Sequence, residues 1–243
     1  LNFGQMTLKI LKVHKKFLIT DQKCVAWHPK ASGLKKLTIS KINKKFIYLI
    51  SPNKIKNDNF YLQLRKIFKL NKIAFFQLRL KKESKFRKFI IGKKISKLCK
   101  KYKVKYIIND DPMFAKKLNA DGCHLGQRDI SVLKARKILK NHIFGITCHN
   151  SKKLIKKAVK NNVDYIALGS FFSTRTKRIR HKASIKILKW AKKTTNIPIV
   201  AVGGIKFDNY KKLLLNKANF LAISSYVWNN NKFKPVEAIK KLK

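Results

Sequence analysis

This chain is nearly bare of carboxylates. Ten aspartates and glutamates stand against sixty lysines and arginines in 243 residues, a formal net charge of +50. A group of carboxylates in such a chain marks a place where negative charge is kept for a bound cation or for acid/base work. Four of the ten, Asp110, Asp111, Asp121 and Asp129, fall within one stretch of twenty residues. Close cysteine pairs are also missing. Cys24, Cys99, Cys123 and Cys148 have no histidine at metal-finger spacing, which argues against a disulfide framework or a zinc site and leaves free, mostly buried thiols.

Long apolar runs are absent too. None approaches the ~20 residues that span a bilayer. Near the N-terminus charged residues interrupt the Leu–Ile stretches, so the apolar core and small-residue cleavage site of a signal peptide are lacking. A cytoplasmic address without membrane contact is the expectation. The chain begins at Leu1, with Met6 a candidate start.

The positive charge has no nucleic-acid motif to go with it. There is no zinc-finger spacing, no heptad array behind a basic region and no aromatic RNA-binding signature. Lysine is spread through nearly every segment among many Asn and Ile residues, which reads as compositional bias and not as a basic block. An enzyme whose field gathers anionic substrates remains open. With 45% hydrophobic residues, the chain can fill a sizeable core as one large domain or two small ones.

Residues 1–43 read as a basic N-terminal extension, and residues 44–243 as the folded unit. There a short β-branched or aromatic run, a turn and a helical stretch recur. Eight runs end at Ser51, Arg79, Asp110, Gly126, Cys148, Gly169, Gly204 and Ser225. Eight strands alternating with helices predict a (β/α)8 TIM barrel, with a doubly wound open sheet as the alternative. In a barrel, functional groups belong at the C-terminal strand ends.

At those ends Gln77, Arg79 and Lys81 share one side of the second strand by its period of two. Asn109 and Asp110 close the third, Gln127 to Asp129 follow the fourth, and Thr147 closes the fifth. The loop after the sixth carries Thr174, Thr176 and Lys177. Every end except the first carries polar groups of a kind that binds phosphate or a divalent ion. Asp111 before Pro112 reads as a helix cap, and Asp121, before the fourth strand, as a turn residue at the opposite face. Asp110 and Asp129 then remain to share one hard cation such as Mg²⁺, which takes one or two carboxylates and leaves other positions to water and phosphates. His124, inside an apolar run, reads as a core residue; His149 is more open, and Cys148 reads as an inert thiol.

QLRLK at 77–81, IIND at 107–110, ADGCHLGQRD at 120–129, GITCHN at 145–150, DYIALGSFFSTRTK at 164–177, VAVGGI at 200–205 and AISS at 222–225 resemble the thiamine phosphate synthase family, in order and spacing. The resemblance implies condensation of 4-amino-2-methyl-5-(diphosphooxymethyl)pyrimidine with 4-methyl-5-(2-phosphooxyethyl)thiazole, releasing diphosphate. It implies that Gln77, Arg79, Lys81, Asn109, Thr147 and Lys177 hold the pyrimidine diphosphate, with Arg79, Lys81 and Lys177 catalytic. It further implies that Thr174, Thr176, Gly204, Ile223 and Ser224 bind the thiazole phosphate, and Asp110 and Asp129 bind Mg²⁺. The partners are then phosphorylated small molecules, with room for a homo-oligomer and no role for nucleic acid or membrane. Ser170 and Ser173, and RIRHKAS at 178–184, depart from the family pattern. Two other readings stay open: a related thiazole tautomerase using His149, and a degenerate basic barrel that binds nucleic acid.

Overall fold

The computed structural model describes residues 45–173 and 182–243. Eight strands are β1 (Ile47–Ile50), β2 (Ile73–Leu78), β3 (Lys105–Asn109), β4 (Gly122–Leu125), β5 (Ile143–His149), β6 (Tyr165–Gly169), β7 (Ile199–Val202) and β8 (Phe220–Ile223). Each pairs in parallel with the next, and β8 pairs with β1, closing the barrel. The open-sheet alternative is excluded.

Helices among the described residues are α1 (Asn59–Lys69), α2 (Lys85–Lys101), α3 (Pro112–Lys117), α4 (Val132–Leu139), α5 (Lys152–Lys160), α6 (Ile185–Thr194), α7 (Tyr210–Leu215), α8 (Ser225–Trp228) and α9 (Pro235–Lys241). Their apolar residues recur at helical spacing. On α1, Phe60, Tyr61, Leu64, Ile67 and Phe68 are buried, the i, i+1, i+4, i+7, i+8 stripe of a helix with one covered face. Helix starts follow the expected capping chemistry. Ser84, Ser131 and Ser151 accept from the backbone three residues on, and Asp111 Oδ1 accepts from the Phe114 amide at 2.9 Å ahead of Pro112.

Alternation along the strands separates two cores. Leu49, Phe76, Ile108, Cys123 and Ile166 face the helices. Tyr48, Phe75, Ile107, Tyr165 and Phe220 fill the lumen, with Phe75 meeting Tyr48 at 5.3 Å and Phe220 at 5.1 Å between ring centroids. The lumen is thus plugged by aromatic rings, and its C-terminal end opens into a cavity.

One device recurs at the closed end. Asp121 Oδ2, ahead of β4, accepts from the Tyr106 amide of β3 at 2.8 Å, while Lys105 Nζ lies 2.7 Å from Oδ1. Asp164, ahead of β6, accepts from the Phe144 amide of β5 at 2.8 Å. Asn219, ahead of β8, accepts from the Ile199 amide of β7 at 2.9 Å. Asp121 therefore satisfies a strand amide that the ladder leaves open, a fuller role than the turn expected of it.

Candidate active site

The lumen-facing positions change character along each strand. On β2 the series runs Phe75, Gln77 and, just past its end, Arg79; on β3 it runs Ile107, Asn109; on β5, Ile143, Gly145, Thr147. Apolar side chains thus seal the bottom and polar ones surround an open cavity of about 1960 Å³. Single-ligand pockets hold roughly 300–1,000 Å³, so this open mouth is wider than one small ligand needs. Gln77, Arg79, Lys81, Asn109, Asp110, Asp129, Thr147, Gly204, Ile223 and Ser224 all line it. Thr174, Thr176 and Lys177 lie outside the described residues, as do residues 1–44.

The β1 end is not bare, which corrects the sequence reading. Ser51 Oγ accepts from the Arg79 amide at 2.9 Å, and Asn53 Oδ1 accepts from Arg79 Nη1 at 2.8 Å. The Arg79 side chain is therefore held against the loop after β1. Burial pushes its guanidinium down from the usual range and Asp110 pulls it back up; an arginine so placed stays charged. The loop itself is pinned from below. Glu83, buried, accepts from the Ile55 amide at 3.3 Å and lies 3.1 Å from Arg87 Nε.

Beside Arg79, Lys81 Nζ stands 3.6 Å from Asp110 Oδ2. Asp110 adopts φ +67°, a left-handed conformation that costs a non-glycine residue free energy and concentrates at functional sites. Its amide donates to the His124 carbonyl at 2.8 Å, which anchors the turn to β4. Asp129 comes back from the β4 loop, where its Oδ2 accepts from the Gly126 amide at 2.6 Å. A Cβ on Gly126 would sit 3.1 Å from that oxygen. Burial, then a hydrogen bond to Asp129 and its charge, raise the Asp110 carboxyl above the carboxylate range, while Lys81 and Arg79 lower it.

Two carboxylates facing one another are electrostatically unfavourable alone and become favourable around a divalent cation. Among the described residues no group of three His, Cys, Asp or Glu side chains converges on one point, so a zinc-type ligand set is absent there. A pair of carboxylates at a wide mouth suits Mg²⁺, which keeps waters and takes phosphate oxygens. The donor set fits that ion.

Across the mouth, Gly203 and Gly204 have φ of +104° and +60°. A Cβ on Gly204 would fall 2.2 Å from the Ser173 carbonyl, so the backbone here passes close beneath the loop after β6. Ile223 turns its side chain outward into the strand–helix core, leaving its backbone to face the cavity. Ser224 Oγ donates to the Ser51 carbonyl at 3.2 Å, and Trp228 Nε1 to the Ile50 carbonyl at 2.7 Å.

His124 is bonded through both ring nitrogens, as a core histidine would be, yet it also lines the cavity floor. Burial pushes its imidazole down to about 4. His149 lines the cavity from the end of β5 with φ +53°. Cys148 is buried, which pushes its thiol up to about 12; a thiol in that state is a poor nucleophile.

The family model described as thiamine monophosphate synthase matches residues 47–227. A thiamine-phosphate synthase of Pelagibacter ubique is 65% identical over 204 residues, covering 84% of this chain and 99% of that protein. One from Erythrobacter litoralis is 34% identical over 79% of this chain and 92% of its own length. Among solved structures, a thiamine phosphate pyrophosphorylase of Pyrococcus furiosus superposes with a TM-score of 0.71 at 26% identity, covering 83% of this chain and 95% of that one. A closed barrel with this mouth, matched over most of its length by these relatives, belongs to the thiamine monophosphate synthase family.

Proposed function

We propose that the cavity joins the pyrimidine diphosphate to the thiazole phosphate, giving thiamine phosphate and diphosphate. The observation that carries this reading is the meeting of Arg79 and Lys81 with Asp110 and Asp129 at one mouth. Anion-binding and cation-binding groups interleaved at a single point are what departure of a metal-bound diphosphate needs.

The bond between the exocyclic methylene carbon and its oxygen breaks, and its electron pair leaves with the diphosphate. Arg79 and Lys81 balance the charge that develops there, joined by Lys177 as the resemblance implies. Asp110 and Asp129 would hold Mg²⁺, which when bound would supply further charge neutralisation at the leaving group. The aminopyrimidine spreads the positive charge left on carbon, and the thiazole nitrogen closes on it with a lone pair that carries no proton. No general base is required, which suits a site whose thiols are buried and whose central imidazole is held neutral.

Gln77, which donates to Asn109 Oδ1 at 3.2 Å, and Thr147 would grip the pyrimidine. Gly204, the Ile223 backbone and Ser224, with Thr174 and Thr176, would take the thiazole phosphate, so the two anions approach from opposite sides. Alignment of this kind supplies much of the rate. The site takes small phosphorylated molecules and not nucleic acid. A cytoplasmic setting belongs to the same reading, with Cys99, Cys123 and Cys148 free and buried. No helix among the described residues is long and apolar enough to cross a membrane.

The test is release of diphosphate by the purified chain with Mg²⁺. Release that depends on both substrates, one diphosphate per thiamine phosphate, is expected. Diphosphate release from the pyrimidine alone at the same rate, without condensation, would refute the assignment.

A further inference from the structure

The cavity floor holds a line of polar groups that the charge-based mechanism leaves unused. The hydroxyls of Tyr48 and Tyr165 lie 2.8 Å apart, Tyr165 Oη is 2.9 Å from His124 Nδ1, and His124 Nε2 is 2.9 Å from Thr147 Oγ1. Tyr48, buried at the bottom of the cavity, is the deep end of this line. Thr147 is the end at the cavity.

Proton counting gives the line a direction. Each phenol has one proton, and a neutral imidazole has one N–H. Tyr48 is 2% exposed, and among the described residues its hydroxyl has one hydrogen-bond partner, Tyr165. A buried donor without an acceptor bears its whole desolvation penalty, which an unused phenol lone pair does not. Tyr48 therefore donates to Tyr165, and Tyr165 in turn donates to Nδ1. That nitrogen must be bare, so the ring proton sits on Nε2 and points at Thr147 Oγ1. The other tautomer, or a doubly protonated ring, would drive a proton toward Tyr165 and strand one of the two phenol protons.

The arrangement is built into the strands. Gly145 lies beside the Tyr165 ring, where a Cβ would fall 1.8 Å from its Cζ, so only glycine leaves space for the ring at this place. The His124 and Tyr165 rings stack at 5.6 Å with 16° between their planes.

Thr147 thus accepts from His124 and keeps its own hydroxyl proton for whatever occupies the cavity. We infer that Tyr48, Tyr165 and His124 are positioning residues that fix Thr147 as a hydrogen-bond donor, so that the substrate atom set against it is a bare pyrimidine ring nitrogen and not the N–H of the exocyclic amine. This rests on the reading that the cavity binds the pyrimidine diphosphate. The consequence suits the chemistry: a hydrogen bond to the ring, without protonation, leaves it electron-rich enough to carry the developing cation. A site organised to donate at that point discriminates against analogues with nothing to accept.

Two measurements on the full chain test it. The first is the tautomer of His124 at pH 7 from ¹⁵N-labelled histidine, read without substrate and assigned by loss of the resonance in His124→Gln. The Nε2–H form is expected; the Nδ1–H form or a doubly protonated ring would overturn the inference. The second compares the KM of the pyrimidine diphosphate with those of two pyridine analogues, each with one ring nitrogen replaced by C–H. One analogue is expected to show a KM raised about tenfold or more in the wild type, and that penalty is expected to vanish in Thr147→Val and return in Thr147→Ser. A penalty unchanged in Thr147→Val for both analogues would refute the donor assignment. The two readings fail separately. A chain with Nε2–H that makes no thiamine phosphate refutes the proposed function, and one that makes it with Nδ1–H refutes the wiring.

Discussion

Asn53 holds Arg79 in place: its Oδ1 accepts from the guanidinium across 2.8 Å, from a loop 26 residues earlier in the chain. The bond ties the end of β2 to the segment after β1, so the Arg79 guanidinium is oriented before any ligand arrives. Hydrogen bonds to charged groups contribute about 1.5–3 kcal/mol. Asn53→Ala is therefore expected to lower kcat/KM for the pyrimidine substrate by about tenfold or more, with KM for the thiazole phosphate little changed. Steady-state kinetics with each substrate varied in turn measures this. An equal loss for both substrates would mean that the loop as a whole had moved.

The carboxylate pair makes opposite predictions for stability and for activity. Asp110 and Asp129 face one another, and burial with the Asp129 charge raises the Asp110 carboxyl. Without a divalent ion, then, the pair repels. Mg²⁺ is expected to raise the Tm of the wild type, by the linkage that favours whatever binds the folded state. Asp110→Asn is expected to abolish that rise without lowering the metal-free Tm. A Mg²⁺-dependent rise that survives in both Asp110→Asn and Asp129→Asn would move the metal elsewhere.

Gly145→Ala should damage the site from within. The added methyl would meet the Tyr165 ring at 1.8 Å, and the ring is wedged between Tyr48 and Phe75 at 5.7 and 6.0 Å. Overpacking of this sort typically costs about 1–3 kcal/mol. A matching fall in chemical stability, together with weaker pyrimidine binding, is expected. A variant as stable as the wild type would show that the ring can move aside.

Acid should weaken the fold through His124. Its imidazole titrates near 6.5 when unfolded and is pushed down to about 4 by burial. Between those values the unfolded chain binds the extra proton, so stability is full above about pH 6.5 and falls as pH drops toward 4. The loss is at most about 3 kcal/mol. Denaturant titrations of the wild type and His124→Gln across this range measure it. The variant is expected to show the shallower fall, and parallel curves would contradict the cause.

The strand ends carried most of this architecture in the sequence, because apolar runs stop where polar side chains begin. Arg79 was expected within β2, but its amide turns to Ser51 Oγ and the ladder ends at Leu78. Ser225 was expected to close β8 and opens α8 instead. Asn209 bonds to the Lys206 amide and the Gly204 carbonyl, and α7 begins just after it, at Tyr210.

What the sequence hid were pairings between distant segments. Tyr48 and Tyr165 are 117 positions apart, and aromatic residues inside strands read as packing. Their hydroxyls meet only because β1 and β6 face one another across the lumen. His124 was read as a core residue, which its two hydrogen bonds support, but periodicity cannot tell that the same ring floors a cavity. Ser51 was read only as the end of the first strand, and nothing in the sequence singled out Asn53. The carboxylates were easier to read, since so few exist in this chain that position alone separated Asp111 and Asp121 from Asp110 and Asp129.

The most direct measurement is thiamine phosphate formation by the purified chain with both substrates and Mg²⁺, set beside Asp110→Asn and Asp129→Asn. Product from the wild type and a loss of about 10²-fold or more in each variant are expected, the scale of removing one charge-stabilising group from a transition state. No product from the wild type under conditions where a relative's synthase turns over, or full activity in both variants, would contradict the account.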